Sequence, residues 1–259
     1  KAATLTEEEK HRVLIDSQAK LQEYAKKLNK LMHNHAITAP QRVLYVSGML
    51  LSMQDIADKK KGLIPNDLKG LDLDDERDGD LIVKHINNYL NVKKIPADKV
   101  TLMMKSFTEI NKDHDRDKIT ALDDIVAELL EKEASVTKQI FTYIFENIFL
   151  SIDSMSGHLD IMGEMYSEFL KYAFGDGKEL GIVLTPPYVT KMMSQILDID
   201  ENSKVMDLAT GSAGFLISAM KLMIECVEQK YGKNTTKANK KIDEIKQQRL
   251  LGVELNAEM

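Results

Sequence analysis

A short apolar run that ends in a glycine-rich turn constrains the fold of this chain more than any other stretch. Residues 204–216 read K-V-M-D-L-A-T-G-S-A-G-F-L. Val205, Met206 and Leu208 are typical of a buried parallel strand, and from Phe215 onward apolar residues recur at helical spacing. We therefore predict a strand, a tight turn and an amphipathic helix, which together are half of a nucleotide-binding unit.

The residues of the turn fit ligand binding. Gly211 and Gly214 lack a Cβ, so a ligand can approach backbone N–H groups at the start of the helix. Asp207 ends the strand, where ligands bind in open α/β sheets, and Ser212 is expected to form a hydrogen bond within the turn. The alternative is a turn that only packs the helix on the strand and binds nothing.

Composition and charge are those of a globular protein large enough for two domains. The chain has 259 residues, a formal net charge of −6 and one cysteine, Cys226, which we interpret as a thiol of the core. The net charge argues against binding nucleic acid with the whole surface.

No apolar run approaches the roughly 20 residues that span a bilayer, so we expect no membrane contact and a cytoplasmic location. Because the chain opens with Lys1 and not Met, we expect it to be a piece of a longer protein.

The first part of the chain has the periodicity of helices. Thr6 and Glu9 fit a capping box that opens a helix ending near His33, and Pro40 can open a second helix. Further helical patterns cover four segments: 80–90, 96–110, 120–132 and 136–152. No alternating strand pattern precedes Gly157. The sequence therefore predicts an all-α domain over residues 1–156, followed by a second domain over residues 157–259.

The second domain combines helices and strands. Helical patterns cover 159–174 and 188–197, and a second apolar strand covers 250–255. The lysine-rich stretch 230–249 lies between the two strands, and we favour a solvated surface over a nucleic-acid contact for it. The order strand, helix, strand favours an α/β fold with a parallel sheet.

Several polar clusters imitate metal or catalytic sites without completing them. The acidic loop 74–79 resembles the start of a calcium loop, but its twelfth position is His85 and not Glu. The series Asp113, Asp115 and Asp117 is followed by Lys118 in place of the turn glycine. The histidines have no partners at metal-ligand spacing, and the turn lacks the spacing of a serine nucleophile elbow. We therefore predict no metal site and no nucleophile.

Two further features accompany the glycine turn. Thr185, Pro186 and Pro187 form a stiff loop ahead of the first strand, in which the Thr185 hydroxyl can be held toward a ligand. Glu254 stands at the carboxyl end of the second strand, where an acidic residue of a nucleotide-binding unit accepts hydrogen bonds from ribose hydroxyls. The order and spacing of the three features carry more information than each feature alone.

With these motifs the chain resembles a known family. The series T-P-P from Thr185, D-L-A-T-G-S-A-G-F-L from Asp207 and G-V-E-L-N from Gly252 is similar to that of adenine-specific DNA N6-methyltransferases, specifically the modification subunit of type I restriction-modification systems. The helical domain in front also matches that subunit, so the resemblance covers nearly the whole chain. It implies an all-α N-terminal domain followed by the start of an α/β Rossmann-like domain that binds S-adenosylmethionine.

The resemblance also implies roles for individual residues. Thr185 and its surroundings, which include Leu184, Pro186 and Pro187, would meet the methionine end of the cofactor. Asp207 and the turn would cradle the methionine and the sugar, and Glu254 would hold the ribose hydroxyls. The cofactor-binding residues of the turn are Gly211, Ser212, Ala213 and Gly214.

The sequence departs from the family pattern in its turn and in its later segments. Leu208 and Thr210 replace a proline and a small residue that are usual in the family's turn. The Asn-Pro-Pro-Phe/Tyr segment that holds the flipped adenine in this family is absent from the chain. We therefore expect no catalytic residue here, no activity of the isolated chain, and a domain truncated after its second strand. Such a two-stranded sheet would leave apolar faces exposed.

The expected function is methyl transfer from S-adenosylmethionine to adenine N6 in DNA, by direct displacement. The expected partners are DNA, the specificity and restriction subunits of a type I complex, and a second copy of the modification subunit. Two alternatives remain open: a helical interaction module that packs on partner subunits and helps close around DNA, and a methyltransferase that uses the same cofactor on a small molecule or RNA.

Overall fold

The computed structural model describes residues 7–56, 60–93, 95–150 and 185–255. The chain divides into two compact units, residues 1–180 and residues 181–259. The domain boundary expected at 156 and the helix expected over 159–174 both lie outside the described residues.

The first unit is mostly helical, as the sequence predicts. Its α-helices are α1 (Glu7–Asn34), α2 (Ala39–Ser52), α3 (Asp78–Val92), α4 (Ala97–Phe107) and α5 (Val136–Ile144). Short 3-10 turns cover Pro65–Asp67, Thr108–Asn111 and His114–Asp117, and a π-helical turn over Phe145–Phe149 continues α5. Two short strands, β1 (Ile119–Thr120) and β2 (Ala134–Ser135), pair antiparallel.

One continuous apolar core holds this unit together. Leu28, Leu31 and Met32 of α1, Met49 of α2 and Phe141 of α5 are each fully buried. Helix α5 is buried nearly all around, as a central helix of a bundle is. Burial of apolar side chains, at about 25 cal/mol per Å², is the main force that orders these helices.

The helix predicted over 120–132 is wrong, and so is the prediction of a purely α domain. This segment leaves β1 and continues through turns to β2. The cause is the buried side chain of Gln139, whose Oε1 accepts the backbone N–H of Asp123 at 2.9 Å. Its Nε2 donates to the backbone carbonyls of Ala121 and Ala134, at 3.0 and 3.1 Å. These bonds satisfy backbone groups that a helix would otherwise pair locally.

The end of the acidic loop that imitates a calcium site, Asp78 and Gly79, becomes the buried start of α3, whereas Asp74, Asp75 and Glu76 are exposed ahead of it. Asp80 forms a bidentate ion pair with Arg77, at 2.8 and 2.9 Å, and accepts a hydrogen bond from Asn111 at 2.8 Å. Asp78 accepts the backbone N–H of Gly70 at 3.0 Å. Within the described ranges, no three His, Cys, Asp or Glu side chains are grouped to hold a metal ion.

The second unit contains the predicted strand, turn and helix. Its elements are α6 (Pro187–Ile196), β3 (Val205–Asp207), α7 (Gly214–Tyr231), α8 (Thr236–Glu244) with a π-helical turn over Ile245–Arg249, and β4 (Leu250–Gly252). Strands β3 and β4 pair in parallel, with Val205 opposite Leu250 and Asp207 opposite Gly252. Across the described residues, no helix is both long and apolar enough to span a bilayer.

The apolar residues of the two strands are only partly buried, as expected of a two-stranded sheet, although the apolar run alone is typical of a buried strand. Val205 packs against the small core formed by α7 and α8. Met206 and its partner Leu251 are 59% and 53% exposed, and Leu208 is 70% exposed. Since paired residues of parallel strands lie on the same face, Met206 and Leu251 form a bare apolar surface on the sheet.

The lysine-rich stretch 230–249 is partly paired with acidic residues. Lys230 and Lys241 form ion pairs with Glu201 and Glu244, and the ammonium group of Lys237 lies 4.7 Å from the centre of the Tyr231 ring. This arrangement agrees with a solvated surface.

Candidate functional site

The turn between β3 and α7 is held in shape by hydrogen bonds of its own residues. The Thr210 hydroxyl donates to the backbone carbonyl of Asp207 at 2.9 Å, and the Ala213 N–H donates to the carbonyl of Thr210 at 2.9 Å. The Asp207 carboxylate accepts the N–H of Ala209 at 3.1 Å. Gly211 has a φ of +53°, a conformation that glycine adopts without steric cost. The turn is therefore a defined structure with little freedom.

Ala213, the residue before α7, adopts a left-handed conformation with a φ of +65°. For a residue with a Cβ, this conformation costs roughly 1–2 kcal/mol. Such strain is found where the surrounding structure imposes it, often at ligand sites.

Backbone bonds join the turn to the end of β4. The Val253 N–H donates to the carbonyl of Asp207 at 2.9 Å, and the Thr210 N–H donates to the carbonyl of Val253 at 3.0 Å. The next residue along the turn, Gly211, donates its N–H to Oε2 of Glu254 at 2.7 Å. The structure thus brings together Asp207, Gly211 and Glu254, which the sequence analysis singled out separately.

Glycine is required at a position that the sequence analysis did not select. A Cβ on Gly252 would lie 2.5 Å from the hydroxyl oxygen of Thr210 and 3.0 Å from Cδ1 of Leu216. A Cβ on Gly214 would meet only Cγ2 of Thr190, at an ordinary 3.6 Å. A glycine inside a strand pattern signals such a close approach, and this signal could have identified Gly252.

The proline loop leads into α6 and lies apart from these contacts. Pro186 is the residue before α6, and Thr185 and Pro186 are exposed. Helix α6 is joined to α7 by a hydrogen bond of 2.8 Å between the hydroxyls of Thr190 and Ser218. Leu184 lies outside the described residues. In the described part of the second unit, neither Thr185 nor Ser212 forms a side-chain hydrogen bond, so Thr210 and not Ser212 is the hydrogen-bonding side chain of the turn.

The start of α7 gives the site its electrostatic character. The first N–H groups of a helix have no acceptor within the helix and carry a partial positive charge. In α7 the bond from the Ile217 N–H to the carbonyl of Ala213, at 2.8 Å, joins residues four apart, as the first bond of an α-helix does. The carboxylates of Asp207 and Glu254 lie at the strand ends on the other side of the turn. The arrangement can bind a ligand with an anionic group at the helix and hydroxyl groups at the carboxylates.

Cys226 is not a reactive group of this site. Its sulfur lies 4.0 Å from the carbonyl oxygen of Ile199, and burial raises the pKa of the thiol above its usual range. A raised pKa keeps the thiol protonated at neutral pH, so it is a poor nucleophile.

Two matches to known proteins include the second unit's site or extend over most of the chain. Residues 157–258 match the family model of the N-6 DNA methylases. The chain is also 31% identical, over 220 residues, to a Type II restriction enzyme and methyltransferase of Heyndrickxia coagulans. This alignment covers 85% of the chain and 31% of the relative, so the chain spans about a third of that protein's length.

The matched segment contains β3, the turn, α7 and β4 in full. Residues 157–258, which include the site, are therefore similar in sequence to an N-6 DNA methylase domain.

Proposed function

We propose that this chain is part of the modification enzyme of a restriction-modification system, which transfers the methyl group of S-adenosylmethionine to N6 of adenine in DNA. The observation that carries the proposal is the contact of 2.7 Å between the Gly211 N–H and the Glu254 carboxylate. It places an acidic side chain from the end of one strand beside the glycine turn that follows the neighbouring strand. This is the arrangement with which nucleotide-binding units hold a ribose.

The residues present fit S-adenosylmethionine. The cofactor carries a carboxylate, which suits the N–H groups at the start of α7, and ribose hydroxyls, which suit the Glu254 carboxylate. One oxygen of Glu254 already accepts the Gly211 N–H, and a carboxylate has room for further donors. We assign the methionine end to Leu184, Thr185, Pro186 and Pro187, and the sugar and methionine together to Asp207, Ser212, Ala213 and Gly214.

The role of this chain in the reaction is binding and orientation. When bound, S-adenosylmethionine would supply a methyl carbon to which the adenine amino nitrogen bonds as the carbon–sulfur bond breaks; the neutral thioether leaves, and the nitrogen gives up a proton. The chain's own residues would hold the cofactor at the carboxyl ends of β3 and β4. The methyl carbon and the adenine nitrogen can then meet in a fixed geometry. Residues 1–259 contain no Asn-Pro-Pro-Phe/Tyr segment to hold the adenine, so the isolated chain is proposed to be inactive.

Two assemblies suit this function. In the first, the chain belongs to a type I modification subunit, with a specificity subunit that chooses the DNA site, a restriction subunit and a second modification subunit. In the second, restriction and methylation reside in one longer protein, as the name of the Heyndrickxia coagulans relative states for that protein. The domain boundary near residue 156, the Rossmann-like completion of the sheet and a cytoplasmic location are parts of the same proposal.

Methyl transfer by the full-length protein tests the proposal. The protein, with any co-expressed subunits, is incubated with DNA and S-adenosylmethionine carrying a labelled methyl group. We expect label at adenine N6, and its loss in the Gly211→Val variant, whose branched side chain does not tolerate the φ of +53° at this position. Label on cytosine, on RNA or on a small molecule only would refute the proposal.

A further inference from the structure

Thr210 contacts both ends of the glycine turn and the neighbouring strand. Its hydroxyl donates to the carbonyl of Asp207 at 2.9 Å, and its own carbonyl accepts the Ala213 N–H at 2.9 Å. Its backbone N–H donates to the carbonyl of Val253 at 3.0 Å. The next residue is Gly211, whose N–H binds Glu254. Thr210 is therefore one of three residues of this segment, with Asp207 and Gly211, that bond to the end of β4, and it also bonds within the turn on both sides.

The side chain of Thr210 packs where Gly252 leaves space. An ideal Cβ on Gly252 would lie 2.5 Å from Oγ1 and 3.0 Å from Cγ2 of Thr210. Contacts this short do not occur, so the threonine side chain occupies the volume that any other residue at 252 would need. The two positions form a matched pair that sets how closely the turn approaches β4.

We infer that Thr210 is a positioning residue of the proposed cofactor site. It holds the turn against β4 and so fixes the start of α7 relative to the Glu254 carboxylate. Glu254 lies only two residues beyond Gly252, so a shift of the turn along β4 changes the separation of the two groups that bind the ends of one ligand. The inference rests on the proposed function, because it assigns Thr210 a role at that site.

The effect of Thr210 is expected to depend on its hydroxyl. Thr210→Val keeps the volume but places a methyl group about where Oγ1 now lies, 2.9 Å from the carbonyl oxygen of Asp207. This distance is too short for a carbon–oxygen contact, so the turn must move. Thr210→Ser keeps the hydroxyl and removes only the methyl group, so it should rescue binding.

Calorimetric titration of S-adenosylmethionine into the full-length protein tests the inference. We expect Thr210→Val to weaken binding about tenfold, as the loss of one well-placed hydrogen bond and a displaced contact imply. Thr210→Ser should bind within about twofold of wild type. The matched control is Thr235→Val, which removes a hydroxyl that caps α8 and accepts the Ala238 N–H at 3.2 Å. It should lower the thermal midpoint and leave the affinity unchanged.

A second pair of variants tests the steric match. Gly252→Ala should weaken binding at least tenfold, because its Cβ meets Thr210 at 2.5 Å. In the Thr210→Ala background the same substitution should cost little further affinity, because the clashing atoms are gone. The remaining neighbour, Cδ1 of Leu216 at 3.0 Å, is the far end of a flexible side chain.

Each outcome is decisive. If wild type and Thr210→Val bind S-adenosylmethionine with equal affinity, the positioning role is overturned. The same holds if Thr210→Val and Thr235→Val lose equal affinity. In both cases the proposed function stands. Additive losses for Gly252→Ala and Thr210→Ala would overturn the steric match. Absence of binding by the folded wild-type protein would overturn both the proposed function and this inference.

Discussion

The two units of the chain are stabilised in different ways. The first unit buries an apolar core that includes Leu28, Tyr45, Ile86 and Phe141, all fully buried. The core of the second unit consists of four buried residues, Met223, Val227, Ala238 and Ile245. Close to its glycine turn, main-chain hydrogen bonds and two side chains fix the geometry. The first unit is thus specified by packing, and the site of the second unit by directed polar contacts.

Polar residues also differ in role between the two units. In the first unit, Arg77 and Asp80 are buried and bind each other, and the buried Asp78 accepts hydrogen bonds from the Gly70 N–H and the Ser135 hydroxyl. In the second unit, Thr185 and Glu254 are exposed at helix and strand ends. Buried polar groups that bind each other specify structure. The ligand site that we propose lies instead at the exposed end of β4 in the second unit.

The largest effect is expected in the core of the first unit. Phe141→Ala removes a fully buried ring and should lower the free energy of unfolding by about 3–5 kcal/mol. Urea unfolding followed by far-UV circular dichroism measures the loss. The control is Leu102→Ala, at a side chain that is 60% exposed, and it should change the free energy by less than about 0.5 kcal/mol. Similar losses of unfolding free energy in Phe141→Ala and Leu102→Ala would contradict the contrast between packed and exposed positions.

The pH dependence of one buried carboxylate is a smaller effect. Asp117 is 2% exposed, and burial raises its pKa above the usual range, although one oxygen accepts the Gly79 N–H at 3.0 Å. Its contribution to stability is therefore full below the unfolded-state pKa, near 3.9, and is lost as the pH rises through the folded-state pKa. Asp117→Asn cannot titrate and keeps an oxygen for Gly79. Relative to wild type, its free energy of unfolding should rise between pH 3.5 and pH 7, by less than the loss expected for Phe141→Ala.

Urea unfolding of both proteins at several pH values measures this difference. Comparison with the variant isolates Asp117 from exposed carboxylates such as Asp55 and Asp115, whose pKa values are lowered by Lys61 and Lys118 and which act in the opposite direction. A difference that stays constant over the whole pH range would contradict the assigned cause.

Local patterns were sufficient to predict the strand, the turn and the helix of the second unit. Apolar runs, glycine positions and helical spacing are properties of neighbouring residues, and they located β3, α7 and β4 within a few residues. The helices of the first unit were predicted for the same reason. The segment 120–132 failed because its backbone is bound by Gln139, a residue outside the segment whose burial no local pattern indicates.

The contacts of the site could be predicted only in part. The position of Glu254 near a strand end could be predicted from the sequence. Its bond to the Gly211 N–H could not, because this bond depends on the register in which Asp207 lies opposite Gly252. The pairing of Thr210 with Gly252 depends on the same register. The exposure of Met206 and Leu251 agrees with the expectation that a two-stranded sheet leaves apolar faces exposed, whereas the apolar run alone does not reveal which faces other elements cover.

Binding of S-adenosylmethionine, measured by calorimetric titration into the folded full-length protein, tests the central claim most directly. We expect saturable binding that Glu254→Ala weakens at least about tenfold, through loss of charge-assisted hydrogen bonds to the ribose. Glu225→Ala, which removes an exposed carboxylate from α7, is the matched control and should bind as wild type does. No binding by the folded wild-type protein, or equal affinities of wild type and Glu254→Ala, would contradict the account.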